Sequence, residues 1–180
     1  MRIAIVGTHC CGKSTLAADF LAAHRDYVHE PEPYEWLEET ESFADPPTAQ
    51  DFYRQLEFSV ERLRGYGRGA RVIIERSPLD FVAYLRAIDA GDIVDGAIEL
   101  AIDGIRHLDL IVFLPLNGRD GIIAPESEDL ELRDSANEHL AEILAGDEIA
   151  LPPVIEVHGT PAERLAALER EIANRDKVCS

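Results

Sequence analysis

Lysine is nearly missing from this chain: among 17 basic residues only Lys13 and Lys177 are lysines, against 35 aspartates and glutamates, for a net charge of −18. A surface so poor in cations repels nucleic-acid backbones and anionic membranes, so neither is expected as a partner. The field fits a salt-adapted surface or simply a very soluble one, and it makes any arginine near an acidic or phosphate-handling motif informative. Cysteine is scarce too: Cys10, Cys11 and Cys179 form an odd set with neither a disulfide framework nor metal-ligand spacing. The 6 histidines are scattered without zinc spacing. No apolar run approaches the roughly 20 residues needed to cross a bilayer. The apolar start at Ile3 is too short for a secretion signal and runs into a polar loop rather than a cleavage site. A soluble, cytoplasmic protein is the expectation. Repeats and low-complexity tracts are absent as well.

What is present is a chain of 180 residues, 46% hydrophobic, long enough for one sizeable core, and a single domain over 1–180 is expected. Its first sixteen residues carry the strongest signal. Arg2-Ile3-Ala4-Ile5-Val6 reads as a buried strand, and it leads straight into Gly7-Thr8-His9-Cys10-Cys11-Gly12-Lys13-Ser14. The spacing G-x-x-x-x-G-K-S lets a chain leaving a parallel sheet wrap its backbone N–H groups around phosphate oxygens, with a helix N-terminus completing the anion site. Gly7 through Thr15 are therefore expected to bind ATP, with Lys13 on the terminal phosphates and Ser14 as a ligand of Mg²⁺. His9 is expected to contribute its backbone N–H rather than its imidazole. Cys10 and Cys11 fill variable positions of the loop, as small residues tolerated there or as a redox switch.

Downstream the chain alternates. A helix from about Lys13 to His24 precedes a short strand Tyr27–Glu30, which Pro31-Glu32-Pro33 stops. Tyr34–Glu39 reads as a short helix, and Ala49 to about Arg64 as a longer one, with Phe52, Leu56, Val60 and Leu63 at helical spacing. Arg71–Glu75 is a third, central strand that delivers Glu75-Arg76-Ser77-Pro78-Leu79-Asp80, where Ser77 caps a helix that Pro78 opens. Helices to about Asp89 and over Asp92–His107 precede a fourth strand, Asp109–Leu114. After a polar segment come a helix from about Asp129 to Leu144, a strand Pro153–Val157, and a last helix from Gly159-Thr160-Pro161 to Ala173. Such alternation implies an α/β fold with a parallel sheet covered on both faces, and ligands at the carboxyl ends of its strands.

Phosphoryl transfer needs charge neutralisation and an oriented acceptor, so arginines and carboxylates at those strand ends are the candidates. Glu75 is placed to hold Mg²⁺ and Arg76 to clamp a phosphate. Glu30 and Glu32 compete for the role of base or metal ligand. Tyr34 and Trp36 wall an acceptor pocket or simply pack.

Taken together, the G-x-x-x-x-G-K-S loop, the Glu-Pro turn, the helix carrying Gln55 and Arg62, and Glu75-Arg76-Ser77 resemble the deoxynucleoside kinases and their small-molecule kinase relatives among P-loop enzymes. The acidic stretch before Arg133 is similar to kinases of the nicotinamide riboside type. The resemblance implies a P-loop NTPase three-layer sandwich with a five-stranded parallel sheet in the kinase-like order 2-3-1-4-5. It implies Mg-ATP as phosphate donor and a nucleoside or related riboside as acceptor. A Glu-Pro glutamate, in Glu30-Pro31 or Glu32-Pro33, would be the general base, and Gln55, Arg62 and Asp80 would serve the acceptor site. Gly159, Thr160 and Pro161 would pack the adenine. In the small-molecule kinases that the chain resembles, a lid after the fourth strand covers the transferred phosphate; by that resemblance the lid segment is about 115–135, with Arg119 and Arg133 as the candidates for the role. A homodimer stays open. The chain departs from the family pattern where an arginine-rich lid is expected, because Asn117 to Glu128 is acidic with a single arginine. Two rivals stand beside this reading. A nucleotide monophosphate kinase would draw on Arg54, Arg62 and Arg64 for the acceptor's phosphate. A small ATPase or regulatory nucleotide-binding protein would find only a faint guanine-reading pattern in Asn117-Gly118-Arg119-Asp120.

Overall fold

The computed structural model describes residues 1–116 and 129–178. Five strands form one parallel sheet: β1 (Arg2–Val6), β2 (Val28–Glu30), β3 (Val72–Glu75), β4 (Leu110–Phe113) and β5 (Val154–Glu156). Their order across the sheet is β2-β3-β1-β4-β5, as the family resemblance implies. Seven helices accompany them among the described residues: α1 (Lys13–Ala23), α2 (Pro33–Leu37), α3 (Ala49–Gly65), α4 (Pro78–Ala87), α5 (Ile93–Ile105), α6 (Leu130–Ala145) and α7 (Pro161–Val178). Expected and observed boundaries differ by a residue or two, except that α7 runs on to Val178 rather than stopping near Ala173.

Strand alternation divides the core into two layers. Ala4, Val6, Val72, Ile74, Ile111 and Phe113 face α3, α4, α5 and α6, whereas Ile3, Ile5, Ile73, Leu110 and Val112 face α1 and α7. Both faces of the central strands are thus dry, which is why they read as continuous apolar runs rather than as alternating ones. On the four-helix side, α5 packs so closely that a Cβ on Gly104 would come within 2.8 Å of both Pro78 and Val60.

Register sets the working edge. Ile5 pairs with Glu75, Ala4 with Ile111, and Glu30 with Ile74. The carboxyl ends of β1, β2 and β3 therefore sit side by side, and the residues following them meet in one place.

Candidate active site

Leaving β1, the chain turns at Gly7 with φ of 147°, a value that favours glycine, and a Cβ there would meet Leu114 O and Cys11 Sγ at 2.7 Å. Cys10 and Gly12 are also left-handed, at φ of 52° and 96°. No side chain caps the start of α1, so its first N–H groups remain available to an anion. Contacts from outside hold the loop. Gly7 N–H donates to Asp80 Oδ1 at 2.9 Å, His9 N–H donates to the Tyr84 hydroxyl at 3.3 Å, and Arg164 donates to Cys11 O at 2.7 Å. Lys13 is buried, with Nζ 3.0 Å from both Thr8 O and Glu32 Oε1.

The strand ends supply the rest. Ser14 Oγ donates to Glu75 Oε2 at 2.5 Å, and the other oxygen of Glu75 lies 2.9 Å from His29 Nε2. These oxygens form a pair of hard ligands beside the phosphate loop, the donor type Mg²⁺ takes. Arg76 is left-handed at φ of 67°, a conformation a non-glycine residue adopts at a cost of order 1 kcal/mol. That twist turns its side chain into the protein, where it is 2% exposed. Its Nε donates to Glu32 Oε2 at 2.7 Å and its guanidinium lies 5.2 Å from the Tyr84 ring centre, while neither terminal nitrogen has a hydrogen-bond partner among the described residues. Burial alone would raise the Glu32 carboxyl, but Arg76 and Lys13 outweigh it and hold the group ionised, well below the usual carboxylate range.

Glu32 and Arg76 open onto a cavity of about 500 Å³. Its walls are largely aromatic, with Tyr34, Phe43, Phe52, Phe81 and Tyr84, and Gln55 and His9 add polar edges. Phe52 and Tyr84 stack at 4.9 Å and 15°. A slot of this size and chemistry suits a flat heterocycle with a hydrogen-bonding edge.

The structure brings Lys13, Ser14, Glu32, Glu75, Arg76, Tyr34 and Gln55 together at this edge, and corrects other expectations. Glu30 is turned away from Lys13. Arg62 grips both its oxygens, at 2.9 and 2.7 Å, and the Tyr66 hydroxyl donates to it as well. With Arg62 spent on Glu30 and its guanidinium 5.5 Å from the Trp36 ring centre, neither Arg62 nor Trp36 lines the cavity. Asp80 is not a cavity group either. It is fully buried, accepts from Ser77 N–H at 2.7 Å in a capping box, and reaches Gly7 with its other oxygen. Burial raises the Asp80 carboxyl against the pull of Arg76. The Tyr84 hydroxyl engages His9 twice, accepting from its N–H and lying 2.8 Å from Nδ1 of its imidazole, which lines the cavity. Tyr84 itself, which stacks, braces the loop and lies beneath Arg76, carries no sequence signal apart from its place on a helix.

Gly159, Thr160 and Pro161 open α7, where Thr160 and Glu163 cap each other and Arg164 reaches the loop. Arg133 sits on α6 with its side chain 13% exposed, and its charge helps hold the His9 imidazole neutral, after burial and Arg76. Arg119 and the rest of 117–128 lie outside the described residues.

A family model described as an AAA domain matches residues 2–164. No curated protein matches the chain. Among solved structures, a deoxyadenosine kinase from M. mycoides with bound dATP aligns over 96% of this chain and 99% of its own, at 16% identity and a TM-score of 0.67. The same kinase with the products dCMP and a flexible dCDP aligns over the full length of both chains, at 18% identity and a TM-score of 0.62.

Proposed function

This chain belongs to the AAA domain family, and from that premise we propose that it is an ATP-dependent kinase that phosphorylates a hydroxyl group of a nucleoside or related riboside. One observation carries the reading: Lys13, Arg76 and Glu32 converge where the phosphate loop meets an aromatic cavity of about 500 Å³. The likeness in fold to deoxyadenosine kinases over nearly the whole chain supports it.

Each residue then has a task. The loop N–H groups and Lys13 take the donor's phosphates, which requires Lys13 to leave Glu32 for phosphate oxygens. Gln55 and the aromatic walls orient the acceptor. Glu32, freed of one of its two cations, takes the acceptor's hydroxyl proton, and the unpartnered terminal nitrogens of Arg76 stabilise charge on the moving phosphoryl group. Ser14 and Glu75 would hold Mg²⁺, which would supply charge neutralisation for the donor's phosphates. His29, on the outer oxygen of Glu75, keeps that carboxylate turned toward Ser14.

A neutral acceptor fits better than a monophosphate. Arg76 is the one arginine or lysine among the described residues lining the cavity, whereas Glu32 and Asp45 both carry negative charge there. Arg54, offered above for an acceptor phosphate, is instead held by Glu41 at 2.7 Å, and Arg64 by Asp103 at 2.7 Å.

The test is a coupled ATP-consumption assay over a panel of nucleosides, ribosides and nucleoside monophosphates, with products resolved by chromatography. Acceptor-dependent ADP formation with a nucleoside phosphate as second product is the expected result. Slow hydrolysis indifferent to every acceptor would refute the kinase reading.

A further inference from the structure

At the opposite end of the sheet, where β1, β3 and β4 begin, a second cavity of about 740 Å³ is lined by Arg2, Arg64, Arg68, Arg106 and His107, with Asp109 as the one acid on its wall among the described residues. That clustering runs against the chain, which has about two acids for every base. Part of it has a local cause. Arg2 is bound bidentately by Asp109 at 2.7 and 3.1 Å, and Arg64 is bound by Asp103 at 2.7 Å. Arg64 also lies in the last turn of α3, where the helix dipole favours a cation.

The remainder has no such cause. Arg106 touches Asp103 only at 3.9 Å, and that carboxylate is already committed to Arg64. Arg68 lies in the loop after α3 and has no carboxylate within ion-pair distance among the described residues. The loop carrying it, Gly65-Tyr66-Gly67-Arg68-Gly69, is bare: Gly67 has an ordinary backbone and nothing within 4 Å of the place a Cβ would occupy. Neither conformation nor packing requires glycine there, whereas close approach of a ligand to the backbone would. Arg68 without a carboxylate partner among the described residues, Arg106 with only a long contact to a carboxylate it shares with Arg64, and the open backbone at Gly67 thus face one concave space of the volume that holds nucleotide-sized molecules.

We propose that this cavity is a second anion site, distinct from the phosphate loop, that takes a small molecule bearing a di- or polyphosphate group, with Arg68 and Arg106 as its principal contacts. A phosphorylated polymer is the weaker occupant, because the net charge of −18 repels an extended polyanion far more than a compact one. Planar guanidiniums suit phosphate oxygens in pairs. The proposal is independent of the phosphotransfer reading.

The test uses inorganic pyrophosphate and calorimetry on the full chain carrying Lys13→Ala, which weakens the competing phosphate loop. Saturable binding is expected, and adding Arg68→Glu with Arg106→Glu should weaken it at least tenfold; both positions are exposed, so folding, followed by circular dichroism, should be unaffected. No binding to the Lys13→Ala chain, or equal affinity with and without the two reversals, overturns the proposal. If Lys13→Ala does not fold, the native chain decides. Pyrophosphate must shift the side-chain Nε–H resonances of Arg68 and Arg106, and a spectrum in which only loop resonances move overturns it equally.

Discussion

The two glutamates of the Glu-Pro-Glu-Pro turn have the same local chemistry and opposite surroundings. Glu30 is tied to Arg62 and Tyr66 across to α3, whereas Glu32 is shared between Lys13 and Arg76 beside the cavity. Glu30→Gln should therefore act on stability, lowering it by about 1–3 kcal/mol in urea titrations while leaving turnover within a few-fold, because it strands Arg62 without its partner. Glu32→Gln should keep ATP binding and lose about 10²–10⁴ in kcat; the reverse pattern would exchange the two assignments. Acid should separate them as well. Glu32 has a folded pKa held below its unfolded value, so its contribution to stability is complete above the ordinary glutamate range near pH 4.5 and is lost as pH falls below it. Urea midpoints taken downward from neutrality should fall less steeply through the acid range in Glu32→Gln than in the native chain, and parallel slopes would contradict the pairing. Nothing in the sequence distinguishes these glutamates, since Arg62 and Tyr66 stand 32 and 36 residues beyond Glu30 and the contact is made only once β2 and α3 are assembled.

At the scale of elements, the loop is shaped by α4 as much as by its own glycines. Ser77 and Asp80 close a capping box at the start of α4, and the second oxygen of Asp80 takes Gly7 N–H. Ser77→Ala should cost about 1 kcal/mol as a lost cap, with ATP affinity nearly unchanged. Asp80→Ala removes the cap and leaves a buried loop N–H without a partner, so it should cost roughly 2–4 kcal/mol and weaken ATP binding too. Equal effects of the two substitutions on ATP affinity would show that α4 does not brace the loop. Much of this level is legible in sequence: Ser77 and Pro78 announce a helix start, and each strand is an apolar run ending in polar punctuation. The use of Asp80 is not legible, because its two partners are 3 and 73 residues away and only the near one follows from spacing. The left-handed turn at Arg76 is equally silent, since it is imposed by burial of the guanidinium against Glu32 and Tyr84 rather than by any residue type that prefers it.

Over the whole molecule the dominant quantity is charge. The parallel order β2-β3-β1-β4-β5 gathers three strand ends into one charged cluster, Lys13 and Arg76 around Glu32 with Glu75 beside them, inside a chain of net charge −18. Two forces of different range follow. The contacts at that point are buried and short, so salt barely screens them, whereas repulsion among exposed carboxylates acts over many ångströms and is cut when the screening length falls from about 10 Å at 0.1 M salt to about 3 Å at 1 M. Adding sodium chloride over that range should therefore raise the unfolding temperature, since relief of self-repulsion outweighs the loss of exposed surface pairs such as Arg71–Asp26 and Arg64–Asp103, which water and salt already screen. Association with ATP should change with it: at low salt the acidic surface opposes an anionic ligand on approach, so the on-rate measured by stopped flow should rise with salt before direct competition for the loop lowers affinity. A melting temperature that falls steadily as salt is added would mean that the surface ion pairs, and not the excess of carboxylates, set the electrostatic stability of this fold.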